Sequence, residues 1–337
     1  MTRAVLLLLR RILAAIPILL TVSILLFVAL RLLPVDPAAM SMPPNATLED
    51  IEAKRRDMGL DKPLVAQYAI WLDDALHGDF GRSVQLRRDA GSLVAAALPA
   101  TIQLAACAMG IASVLGVGGG LLLFHLRGGV AEIVGDIGTT LLLSVPEFLW
   151  ALLLILLFGV LVPAMPFIGQ IGPQFSVPTV TGFVLLDALL AGQIHAFGSV
   201  LAHLVLPAAA LGIAFSPAIM RVLRSGLLDV YHDDYIRQAR LRGIGEWRIL
   251  LVHALPNAIL PTLTLMGVQF GFLFGGTLLV EVIYSYPGLG NLMVDAVRNA
   301  DLPIIQTVGL TYCVVVLLIG MTVDALVLIL NPRLRAR

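Results

Sequence analysis

The sequence predicts an all-α polytopic membrane protein with six transmembrane helices and a helical segment inserted after the first. Three observations carry that prediction. Of 337 residues, 59% are hydrophobic and only 13% charged, against about 25% charged in an average soluble domain; the mean hydropathy is +0.95. Five apolar runs, near 9–31, 98–124, 137–162, 257–283 and 304–330, are each long enough to cross ~30 Å of hydrocarbon at ~20 residues per helix. A sixth, near 199–222, stays apolar through Pro207 and Pro217, which membrane helices tolerate where neighbours re-satisfy the freed carbonyls.

The first run has a basic start and an apolar core, like a signal peptide. Its length exceeds the roughly 7–15 residues of a signal core and no small-x-small cleavage site precedes Pro34, so it reads as a retained span within 1–31. Residues 32–97 read as a folded element. Thr47 with Asp50 forms a capping box for a helix that runs to Met58 and stops at Gly59. Asp61 is the expected cap of a second helix with Pro63 in its first turn, and Leu64, Tyr68, Trp71, Leu72 and Leu76 recur at helical spacing as one buried face. Gly78 ends that helix. Asn45-Ala46-Thr47 matches a glycosylation acceptor, but the same residues serve as a helix start. The run 183–191 is too short to span and contains Asp187, which makes it a surface or re-entrant piece on the outer side.

Arginine placement sets the orientation. Arg3, Arg10 and Arg11 precede the first span, six arginines lie between Arg221 and Arg248, and Arg333, Arg335 and Arg337 follow the last span. With six spans all three groups fall on one side, so both termini, including the tail 331–337, are expected in the cytoplasm. The 32–97 segment carries seven basic residues but ten acidic ones, and is long enough to escape the short-loop rule.

Several function classes lose support. Net charge is zero, with no bias toward nucleic acid. The only lysines, Lys54 and Lys62, follow Ala53 and Asp61, so the glycine-lysine phosphate loop of an ATPase is absent. Cys107 and Cys313 sit in apolar runs and offer neither a disulfide framework nor a metal site. The histidines at 77, 125, 195, 203, 232 and 253 form no H-E-x-x-H and no i, i+4 pair. No nucleophile-base constellation is visible.

The segment 223–256 is the most informative. Asp234–Pro256 is hydrophilic between apolar spans and carries Arg237, Arg240, Arg242 and Arg248, with Arg224 just upstream. It reads as a compact helix-turn-helix whose arginines suit acidic groups on a soluble partner. Gly243 permits a turn or a close approach, Leu255-Pro256 closes the loop and starts the next span, and Ile244, Trp247 and Leu250 are expected to bury one face. Taken alone, it also reads as an ordinary solvated positive-inside loop. Within the spans, Gln103, Glu147, Gln269, Glu281 and Asp324 are the polar residues. Each is either an interhelical hydrogen-bonding group or part of a translocation path, and Glu147 and Gln269 are the preferred path residues.

RLLPVDPA (31–38), GLDKPLVAQYAIWLDDALHGDFGRS (59–83), LPATIQLA (98–105), SVPEF (144–148), LPAAALGIAFSPAIMRVLRSGLLDV (206–230), the DYIRQARLRG loop, YSYPGLGNLMVDAVRNADLPIIQ (284–306) and VDALVLILNPRLR (323–335) together resemble the dipeptide/oligopeptide/nickel family of ABC importer permeases. The resemblance spans nearly the whole chain and is to the first of the two permease subunits. It implies a type I ABC importer fold and a second homologous permease subunit. It also implies one or two ATPase subunits that bind ATP and Mg, and an external solute-binding protein; this chain itself would carry no cofactor. The family's loop pattern is Glu-Ala-Ala-x3-Gly-x9-Ile-x-Leu-Pro. Here Ala239, Gly243, Leu255 and Pro256 agree, Arg237 and Gln238 replace the first two residues, and His253 replaces the isoleucine. The coupling residues implied are Arg237, Ala239, Arg240, Arg242, Gly243, Glu246, Trp247, Leu255 and Pro256. Peptides are the first choice of cargo, with nickel chelates, glutathione and opine-like solutes open. An ion-gradient-driven secondary transporter is the alternative of another class, although no internal repeat supports it.

Overall fold

The computed structural model describes residues 2–32, 36–43 and 45–330, with side chains left out at 2–10, 12, 41, 324 and 326–330. The expected tail 331–337 and the side chains of Arg3, Arg10 and Asp324 therefore lie outside what is described. Among the described residues all regular structure is helical, apart from one isolated antiparallel bridge between Arg82 and Asp89. Five helices are long and apolar enough to cross a membrane: α1 (Thr2–Arg31), α5 (Ala90–His125), α9 (Ile194–Val230), α12 (Leu255–Ile283) and α14 (Leu302–Leu330).

The expected third span differs. Residues 130–161 form α6 (Val130–Ser144) and α7 (Glu147–Leu154, continued as a π-helical turn over Ile155–Leu161), bent by 97° at the break. Pro146 is the cause. It pushes Val145 into extended backbone, φ −93° and ψ 118°, and starts α7 with its own fixed φ. The chain therefore has six spans only if this bent pair is counted as one. Span two begins earlier than position 98, because Asp89 accepts a hydrogen bond from Ser92 N at 2.6 Å and caps α5 there. Span four runs through both prolines without a break and takes in the first residues of the expected loop, ending at Val230.

The centre of the fold is the α5–α9 pair. Ala108, Ala112, Gly116 and Gly120 recur every fourth residue on α5, all buried, and face Ala208, Gly212 and Ser216 on α9, also buried and also four apart. The small side chains let the backbones meet: a Cβ on Gly212 would lie 3.1 Å from the Ala108 carbonyl, and one on Gly120 would lie 3.0 Å from the Met220 carbonyl. Small residues at four-residue spacing are how apolar helices gain van der Waals contact where no hydrophobic drive separates helix from lipid. Against this pair pack α7, α12, α13 (Leu289–Arg298) and α14.

The segment after α1 holds α2 (Pro37–Ser41), α3 (Leu48–Asp57) and α4 (Leu64–Leu76). The Thr47–Asp50 capping box forms in both directions, and Gly59 takes φ +63° just past the helix end. Asp61 does not cap α4: Pro63 stands at that position and no side chain caps the helix. Nor does α4 bury a full face. Tyr68 and Trp71 pack on Phe27 of α1, with ring centroids 5.5 and 5.6 Å away, while Leu64 and Leu76 remain exposed. No residue of α4 is fully buried.

The short run 183–191 forms α8 (Val184–Leu190). Asp187 is buried there and accepts hydrogen bonds from the backbone N–H of Val180, Thr181 and Gly182 and from the Thr181 hydroxyl. The Thr181 hydroxyl, with those amides behind it, holds the carboxyl below the usual carboxylate range.

Candidate functional site: a loop seated on its own core

The loop after α9 folds as α10 (Asp234–Leu241), a turn, and α11 (Glu246–Arg248), which continues through a π-helical stretch, Ile249–Ala254, into α12. The turn is a complete Schellman closure. Ile244 N donates to Ala239 O at 3.2 Å and Gly243 N to Arg240 O at 2.9 Å. Gly243 adopts φ +74° with nothing within 4 Å of where a Cβ would stand. Of the two roles sequence offered for this glycine, the turn is the one formed within this chain.

Pro256 stands in the first turn of α12, as expected of the residue that starts the next span, although the helical path is already continuous from Glu246. A proline at 256 removes one N–H and crowds the carbonyl of residue 252, and the π register of 249–254 opens the helix just where that crowding falls. Leu255 is half-buried against the loop's core.

That core is separate from the main one. Phe124 of α5, Leu223 and Leu227 of α9, Ile236 and Ala239 of α10, and Ile249, Leu250, Ala254 and Ala258 form one buried cluster. The loop is thus seated on the ends of α5, α9 and α12 together. Ile244 and Leu250 join this core as expected, but Trp247 does not bury: it stays 61% exposed and stacks on His125 at 4.8 Å. Arg127 lies over the Phe124 ring at 4.0 Å and the Tyr231 ring at 5.1 Å. These side chains, with Arg240 and Glu246, line an open cleft of about 370 Å³. Tyr235 accepts from Asn257 Nδ2 at 2.9 Å and donates to His253 O at 3.3 Å, tying α10 to the start of α12.

The arginines divide into two groups. Arg224 is not part of the loop: it sits on α9 and pairs with both Glu132 and Asp136 of α6, and Arg221 donates to Thr140 one turn further along at 2.8 Å. Sequence reasoning missed this clamp, although Glu132, Asp136 and Thr140, four apart, share one face of α6, and Arg221 and Arg224, three apart, share one face of α9. Arg240 pairs with Glu246 at 2.6 Å. The side chains of Arg237, Arg242 and Arg248 are exposed and pair with none of the described residues. They are the cations available to a partner.

The four path candidates also divide. Gln103 is buried between Tyr286, to which its Nε2 donates at 3.3 Å, and Leu185, whose N–H its Oε1 accepts at 3.2 Å. Glu281 is fully buried and accepts from Gly290 N at 2.7 Å, at the start of α13. Both are engaged by hydrogen bonds inside the chain. Glu147 and Gln269 are half-buried, and their side chains make no hydrogen bond or ion pair with the described residues. Glu147 stands at the α6–α7 break beside Gly276. Gln269 and Gly276 are seven apart on α12 and so lie on one face of it. No group of three or more potential metal ligands occurs among the described residues.

Residues 4–105 match the family described as the N-terminal part of binding-protein-dependent transport system membrane components, and 112–336 match the corresponding inner membrane component. The di/tripeptide transport system permease protein DppB of Pseudomonas aeruginosa is 35% identical over 97% of both chains. The dipeptide transport permease DppB of Escherichia coli is 34% identical over 97% of this chain and 98% of its own. The glutathione transport system permease protein GsiC of Pectobacterium atrosepticum is 35% identical over 97% of both chains. An inward-facing structure of the MetNI methionine ABC transporter shares the fold, with a TM-score of 0.55 at 17% identity over 71% of this chain and 96% of that one. The chain belongs to the binding-protein-dependent transport system inner membrane components, and is a multi-pass permease subunit of an ABC importer.

Proposed function

We propose that this chain imports di- or oligopeptides as one half of a translocation path completed by a second homologous permease, with both termini and the 234–256 loop in the cytoplasm. One or two ATPase subunits dock on that loop and hold ATP and Mg. An external solute-binding protein docks on the opposite side and delivers the peptide. The observation that supports this reading most is the loop's construction. It is closed by hydrogen bonds, carries three unpaired arginines outward, and rests on a core shared by α5, α9 and α12. A displacement of the loop therefore moves three spans together. Closing of the ATPases on ATP turns the path outward, and opening returns it inward.

Peptides are favoured because the relatives named for peptide transport match the chain end to end. Glutathione, itself a tripeptide, falls in the same class. The test is the ATPase activity of the purified complex, co-expressed with its partner subunits, with and without the external binding protein and a dipeptide mixture. Stimulation that needs both additions supports the proposal. Stimulation by another solute keeps the class and replaces the cargo; no copurifying ATPase overturns it.

A further inference from the structure

Glu147 is a carboxylate in a transmembrane segment with no partner among the described residues. It stands at the break between α6 and α7, and the Cβ position of Gly276 lies 3.5 Å from its Oε1 and 3.8 Å from both Leu211 and Phe215. Leu211 and Phe215 fall close to the midpoint of α9, so the carboxylate lies level with the middle of a helix long and apolar enough to cross a membrane. An unpaired carboxylate at that depth is costly, and such groups face a protein interior or a water-filled cavity and meet a partner there.

The surroundings show where it looks. Along α12 the residues Thr264, Val268, Phe272, Gly275 and Leu279 form an exposed stripe at helical spacing, and Phe272 is 67% exposed although it is a large aromatic. Gln269 and Gly276 border that stripe. Gly276 carries no side chain to cover the carboxylate, and no atom lies within 4 Å of a Cβ on Gly275. By contrast Asp187 takes four in-chain donors and Glu281 two. Where this fold uses a carboxylate structurally it surrounds it with N–H and O–H groups; at Glu147 it does not.

Resting on the peptide reading above, we infer that Glu147 is a cargo-contacting residue that receives the α-ammonium group of the peptide as it crosses the membrane. The ammonium is the one cation common to all unmodified peptides, so a single carboxylate recognises the class without reading its side chains. One ion pair in a hydrated cavity is weak, which suits a site that must release what it holds.

The test uses the purified nucleotide-free complex without the external binding protein. Binding of Ala-Phe and of N-acetyl-Ala-Phe is measured by equilibrium dialysis, on wild type, Glu147→Gln and Glu147→Asp. The expected result is about 5-fold tighter binding of the free amine by wild type, no difference between the two ligands on Glu147→Gln, and a retained preference on Glu147→Asp. Equal binding of the two ligands by wild type overturns the inference, as does a preference that survives Glu147→Gln. If Glu147→Gln instead releases the second permease during purification while Glu147→Asp keeps it, the carboxylate is an interchain contact and the inference fails. Absence of peptide transport by the intact wild-type system is a separate result, and it would sink the peptide reading itself.

Discussion

Arg240 reaches across the turn made by Gly243 and grips Glu246 through two hydrogen bonds, at 2.6 and 3.3 Å. The pair closes α10 onto α11 from outside, as the Schellman bonds close it from within. Both side chains are largely exposed, and pairs of that kind contribute about 0–1 kcal/mol. Glu246→Gln is therefore expected to lower coupled transport less than about fivefold, read as peptide uptake per ATP hydrolysed.

Gly243 is the more demanding position. A non-glycine residue at φ +74° costs about 1–2 kcal/mol, and a β-branched one is worse. Gly243→Val should reopen the turn and lower uptake per ATP about tenfold, while the complex still assembles and hydrolyses ATP. Normal assembly together with wild-type uptake would show that the turn does not couple.

The two classes of arginine should separate experimentally. Replacing Arg237, Arg242 and Arg248 together by Gln should leave the chain's own thermal stability unchanged and reduce the ATPase retained during purification, increasingly so as salt rises. Arg224→Gln should act the other way. It leaves Glu132 and Asp136 facing one another across one turn of α6, and should lower the melting temperature of the isolated permease by an amount corresponding to about 1–3 kcal/mol.

Packing of α5 on α9 predicts a contrast between glycines. Gly212→Leu forces a side chain against Ile111 and the Ala108 carbonyl and should destabilise by about 1–3 kcal/mol or more. Gly110→Ala meets nothing within 4 Å and should be near neutral in the same thermal assay.

Acid should loosen the 180–187 turn. The Asp187 carboxyl is held below its ordinary range by the Thr181 hydroxyl and the backbone amides. The stability it contributes is thus present above the ordinary carboxylate pKa of ~3.9 and is lost as pH falls through the lower, folded value. Protection of the Val180, Thr181 and Gly182 amides from hydrogen exchange, relative to their intrinsic rates, should fall below about pH 4, and Asp187→Asn should bring that loss of protection to neutral pH.

Much of this was legible in the sequence, and the rest was hidden for identifiable reasons. Hydropathy located the spans because each is a long apolar run. The helix-turn-helix of the loop followed from its polarity and Gly243, and the Thr47 capping box from two residues. The break at Pro146 was not read, because hydropathy integrates over a run and is blind to a bend inside it; the proline was the available signal. Arg224 was assigned to the loop because charge alone does not reveal which helix a residue ends. The π register of 249–254 leaves no compositional trace. Polarity could not distinguish Glu281 from Glu147, because the difference lies in the N–H groups of Gly290 and Asn291 that meet the first and in the bare Gly276 beside the second.

ATP-driven peptide import coupled by the 234–256 loop is measured as uptake of a radiolabelled dipeptide into proteoliposomes holding the complete complex, with ATP on the side of the loop and the binding protein on the other. The expected result is uptake that needs both and that Gly243→Val lowers about tenfold while ATP hydrolysis continues. Uptake that proceeds without ATP and follows an imposed ion gradient would contradict it.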